Sequence, residues 1–166
     1  MKTVDFIRSC LDSSARAVLP LIEDMKDAPL TFPTARGGNH PLWVLGHLAW
    51  SEGQIVQQVM LGRPNPVASW QPLFGMGSET SAEAARYPTL DEALKAFQNL
   101  RAETLKLLET LNDSDLDRSS QGCPPEWKAF LGTYADCFRV IVLNTMHHRG
   151  QVADARRAAG RKPLRM

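Results

Sequence analysis

Asn144-Thr145-Met146-His147-His148-Arg149-Gly150-Gln151 puts two of the chain's four histidines side by side near its C-terminal end. The octapeptide lies inside a run from Thr133 to Ala159 that reads as a single helix. Asp136 stands near the positive end of its dipole and Gly160 at the expected C′ position. Successive residues of a helix point about 100° apart, so neighbouring histidines cannot share a face. Tyr134, Cys137, Ile141, Val152, Ala155 and Ala159 mark one apolar stripe; His148 falls within it and His147 at its margin. An imidazole aimed into a helical core either has a hydrogen-bond partner or holds a metal.

Three further helices are expected upstream. The first runs from Thr3, its expected N-cap, to about Lys26, with Pro20 predicted to kink or split it. Asp27–Asn39, with Pro29, Pro33, Gly37 and Gly38, reads as a loop. A second helix starts at Pro41, capped by Asn39 or His40, and ends before Gly62. On it His47 shares a face with Trp43, Ser51 and Gln54, and Trp43 and Trp50 lie within a turn of the histidine. From Arg63 to Pro88 Pro, Gly and large apolar residues alternate, and Trp70 and Phe74 predict a lid over one bundle end. Thr89-Leu90-Asp91-Glu92 is a capping box that opens the third helix. Asn112–Gly132 connects it to the last, with a short turn around Pro125–Phe130. The expected architecture is an all-α four-helix bundle, one domain over 1–166, with a long connection between helices 2 and 3 that permits other than simple up-down threading.

Composition narrows the function classes. Hydrophobic content is 43%, charged content 22% and formal net charge +1, so no global field recruits nucleic acid or an anionic membrane. The basic residues Arg156, Arg157, Arg161, Lys162 and Arg165 follow a helix C-terminus, where cations complement the dipole. Three widely spaced cysteines without Cys-x-x-Cys fit a reducing compartment. No apolar run is long enough to cross a bilayer, and Asp5 and Asp12 break up any leader-like stretch. A cytoplasmic protein is expected.

With Leu45-Gly46-His47-Leu48-Ala49 on the second helix and His147-His148-Arg149-Gly150-Gln151 on the last, the chain resembles the DinB (YfiT-like) family of metal-dependent four-helix-bundle enzymes. The resemblance spans essentially the whole chain. It implies a bundle of unusual connectivity, often a homodimer, and a divalent metal, zinc or nickel, held by three histidines. It also implies chemistry that uses a low-molecular-weight thiol, S-transfer or isomerisation, on a small electrophilic substrate. By position His47 and His148 match two of the ligands, and Asn144 stands where the third belongs. Residues four apart on a helix lie about 6 Å from each other, so that geometry survives, but an amide oxygen is a weaker ligand than imidazole. His147 is a second-best substitute. Gln54 and Gln151 are expected to orient ligands around the site, Trp43 and Trp50 to form the substrate wall, and Gly150 to let a neighbouring element approach closely.

Two other readings accompany this one. A metal-free, non-catalytic ligand-binding or dimerising bundle would use Asn144 in a hydrogen-bonded core network. Hydrolysis by a metal-activated water would need no thiol.

Overall fold

The computed structural model describes residues 1–28, 30–31 and 38–164. Helix α1 (Thr3–Glu23) is followed by α2 (Pro41–Glu52), which continues without a break as π-helical turns over Gly53–Met60. The short α3 (Gln71–Phe74) precedes α4 (Leu90–Glu109), and the short α5 (Lys128–Leu131) leads into α6 (Tyr134–Ala158). The four long helices are those expected, and the described residues contain no strand beyond one isolated bridge, Ser119 to Thr133. None of the described helices is long and apolar enough to cross a membrane. Pro29, Pro33 and Gly37 of the expected loop, and Arg165 of the basic tail, lie outside the described residues.

Local chemistry explains most of the boundaries. Thr89 and Thr133 each accept a hydrogen bond from the third backbone N–H of their helix, and Glu92 and Asp136 bond back to them. Gly62 and Gly160 close α2 and α6 with φ of +64° and +74°, a conformation that costs glycine nothing. Helix α1 departs from expectation at both of its ends. Thr3 is its first helical residue rather than its cap, and the Asp113 carboxylate, far along the chain, accepts from the backbone N–H groups of Thr3 and Val4 at 2.9 and 3.0 Å. The helix stays continuous through Pro20, and it ends at Glu23, short of Lys26.

The connectivity is not up-down. Helix α1 packs along α6 and more lightly on α4, while α2 packs along α4 and α6, so α1 and α2 stand diagonally across the bundle. The helices flanking the long 61–89 connection are thus neighbours, and the chain crosses the bundle elsewhere. The basic end of α6 serves this packing: buried Arg156 grips Asp24 at 2.8 Å, and Arg161 pairs with Asp27, tying α6 to the end of α1.

The core is two apolar clusters. One contains Val18, Leu45, Phe74, Phe97 and Val152, and the other Leu11, Val56, Leu108, Phe138 and Ile141. Between them runs a buried polar belt: Ser14, His47, Ser51, Glu52, Arg101, Thr104, Thr145 and His148. The hydroxyls of Ser51, Thr104 and Thr145 donate to the carbonyl one turn back, His47, Leu100 and Ile141, so each is satisfied within its own helix. Arg101 donates to Glu52 at 2.8 Å and to the Leu11 carbonyl at 2.6 Å, joining α4 to α2 and α1. One oxygen of Glu52 and one nitrogen of Arg101 have no partner, so the pair is only partly compensated for its desolvation. Glu52→Leu alone is expected to lower stability by about 3–5 kcal/mol, because it strands the Arg101 charge, and Glu52→Leu with Arg101→Met to recover most of the loss in a urea titration.

Candidate metal and substrate site

Helix α2 is buried along its whole length, so its polar side chains must find partners inside the protein. His40, Trp43 and His47 follow one face of it. The His40 Nδ1 accepts the Trp43 backbone N–H at 3.0 Å, which leaves its Nε2–H to donate to the Ser81 carbonyl at 2.9 Å. His40 is therefore both the cap and an anchor. Trp43 Nε1 donates to the Leu73 carbonyl at 2.9 Å, and His47 Nδ1 to the Phe74 carbonyl at 2.7 Å. Gly46 makes room for this: a Cβ there would sit 2.2 Å from the fully buried Phe74 ring. The expected lid is thus a strap held across α2 by three N–H donors.

His148 of α6 meets His47 with ring centroids 4.5 Å apart at 60°. Its Nδ1 donates to Gln151 Oε1 at 2.8 Å, and the same oxygen accepts from Asn39 Nδ2 at 2.9 Å. Both imidazoles therefore spend Nδ1–H on an oxygen and keep a lone pair on Nε2, the arrangement in which outer groups orient histidine ligands. Trp43 stacks on His47 at 4.7 Å with planes 8° apart and fixes that ring. Burial, with a smaller contribution from His47, pushes His148 from the usual 6.5 down to about 4. Burial also lowers His47, against the hydrogen bonds of the Phe74 carbonyl and Asn144 that raise it. Near pH 7 both rings are neutral.

Asn144 completes the face. Its Nδ2 donates to Ser51 Oγ at 3.3 Å, and its amide lies close enough to His47 to favour the protonated ring. His47, His148 and Asn144 converge as the motif positions predict. No group of three His, Cys, Asp or Glu side chains suited to a metal occurs among the described residues. Two neutral imidazoles and an amide fit a divalent cation held loosely, with positions left open, less well than three imidazoles would.

Several expected neighbours lie elsewhere. His147 is exposed, with its ring edge-on to His148 at 5.0 Å; it sits in an open polar depression with Gly38, Asn39, Asp154 and Arg157, where its recorded partner is Gln151 at 3.4 Å. It makes a poor stand-in ligand, because its helix position turns it outward. Gly150 opens onto the same depression, and a Cβ there would meet nothing within 4 Å, so no element approaches it closely. Trp43 is locked between His47 and the strap rather than forming a substrate wall. Trp50 and Gln54 do line a cavity of about 130 Å³ that opens beside His47, Ser51 and Asn144. Its far side is Met76, Trp127 and Phe130, which the sequence reading left out. Trp127 and Phe130, spaced one helical turn apart between Pro125 and the last helix, were the available signal. Asn39 offered none, since its role exists only through Gln151.

The family model described as the DinB superfamily matches residues 11–152. Among solved structures the chain is similar to YfiT from Bacillus subtilis, a probable metal-dependent hydrolase with an unusual four-helix bundle topology. The two share 20% identity over 96% of this chain and 89% of that one, with a TM-score of 0.66. The curated proteins give no match.

The lowered histidines set a pH dependence. Between about pH 6.5 and pH 4 the unfolded chain binds protons that folded His148 refuses. The stability of the metal-free protein is therefore whole above pH 6.5 and declines as the pH falls toward 4, with His40 and His47 adding in the same direction. Urea midpoints measured across this range are expected to fall, and His148→Gln to flatten the fall.

Proposed function

The chain belongs to the DinB superfamily, and from that premise we propose that it is a metal-dependent enzyme that hydrolyses a small, uncharged substrate, with His47 and His148 holding a divalent cation. The observation that carries the reading is the meeting of these two imidazoles from α2 and α6, each with Nδ1 committed to an oxygen and Nε2 free of its proton. Such a cation, zinc or nickel, supplies Lewis acidity to a substrate oxygen and acidifies a coordinated water. The remaining work falls to the chain. The Phe74 carbonyl and the Trp43 ring hold His47, and Gln151, steadied by Asn39, holds His148. The strap excludes bulk water from the α2 side, and the cavity receives the substrate next to His47.

Among the finer reactions, hydrolysis is favoured over thiol-dependent S-transfer or isomerisation. Those would place a hydrophilic thiol beside the substrate, and the cavity carries no Asp, Glu, Lys or Arg to receive one. A homodimer in the cytoplasm, without a nucleic-acid partner, is part of the same proposal.

A second reading rests on Asn144. In the structure its amide donates to Ser51, so that part of the belt is bonded without an ion, as a metal-free ligand-binding bundle would require. Calorimetric titration of protein made without a histidine tag separates the two. Wild type is expected to take one equivalent of zinc or nickel, His47→Ala and His148→Ala to take none, and Gln151→Ala to bind about 10–100-fold more weakly. Asn144→His should bind more tightly than wild type. Binding by Asn144→His alone would favour the metal-free reading.

A further inference from the structure

We infer that the cavity beside His47 is a specificity pocket for an uncharged, apolar group about the size of one benzene ring. The inference deepens the hydrolytic reading by naming the substrate class, and it stands on the cavity's own geometry. The free volume is about 130 Å³. An apolar cavity of about 150 Å³ holds one benzene, so a single ring or a branched chain of similar bulk fills this one, and a fused ring system does not.

The walls determine the chemistry. Ile55, Leu131 and Val140 supply aliphatic surface, and Trp50, Trp127 and Phe130 supply aromatic faces and edges. No Asp, Glu, Lys or Arg side chain reaches the lining. A carboxylate or ammonium seated here would lose its hydration with nothing to replace it, which disfavours charged ligands strongly. The polar side chains of the lining are His47, Ser51, Gln54 and Asn144, beside the indole N–H groups of Trp50 and Trp127, of which the Trp50 one is buried without a partner. Ser51 is already committed, donating to the His47 carbonyl and accepting from Asn144. That leaves the Gln54 amide to meet the substrate's polar group, which places the scissile bond of an uncharged ester or amide next to His47 and its apolar tail among the aromatics. The rim accounts for two otherwise unexplained features: Phe130 is 42% and Met76 74% exposed, large apolar side chains left in water at the mouth. A flexible thioether and a ring at an opening can close over an apolar guest.

The test uses the full chain with chelator present, so that no metal takes part. Benzyl alcohol, benzoate and benzylamine are titrated separately, followed by saturation-transfer NMR and by the fluorescence of the tryptophans. Benzyl alcohol is expected to bind saturably, and both charged analogues about tenfold more weakly or worse. Val140→Phe, which fills the cavity, is expected to abolish binding. Phe130→Ala truncates a half-exposed side chain that the fold does not need, and is expected to weaken binding about tenfold. Benzoate binding as tightly as benzyl alcohol, no saturable binding by benzyl alcohol, or unchanged binding by the folded Phe130→Ala variant would each overturn the inference. Failure of the metal titration with benzyl alcohol binding intact removes hydrolysis and leaves the pocket. The converse result removes the pocket alone.

Discussion

Three N–H groups on one face of α2, from His40, Trp43 and His47, hold the carbonyls of Ser81, Leu73 and Phe74. Much else in the molecule depends on that row. A helix with no exposed residue must satisfy its polar side chains internally, and a connection without regular structure must satisfy its carbonyls. Here each need answers the other. The bargain fixes the tautomer of His47, seats Phe74 against Gly46 and completes the apolar cluster above the polar belt. It also commits the Nδ1 of His47 to the strap and leaves its Nε2 facing α6.

The belt between the two apolar clusters is where this bundle departs from an ordinary core. Its hydroxyls fold back on their own helices, its one full charge pair is imperfectly matched, and its two histidines are neutral because burial makes the proton too costly. Asn144 is the pivotal member. Its amide donates to Ser51 and lies beside His47, whose protonated form it favours.

The diagonal placement of α1 and α2 has a consequence for the site. It leaves α6 packed against both of them, so one helix brings His148 and Asn144 to α2 while Arg156 and Arg161 fasten its far end to α1. Two of the basic residues near the C-terminus, Arg156 and Arg161, are spent on this fastening.

The sequence by itself determined the four helices, their capping boxes at Thr89 and Thr133, their glycine stops, and the face that His47 or His148 presents. Each of these follows from local periodicity and backbone chemistry, which act over a few residues. Spacing within one helix, readable as angle, put Asn144 on the face of His148, and the resemblance to the DinB family marked it as the position where a third histidine belongs. Only the tertiary structure decided that Asp113 caps α1, that Asn39 steadies His148 through Gln151, that Trp43 supports a ring instead of a substrate, and that Met76, Trp127 and Phe130 enclose the cavity. These are pairings between segments remote in sequence. Hydrogen bonds and van der Waals contacts reach only a few ångströms, so their partners are chosen by how the helices pack, which no local pattern records.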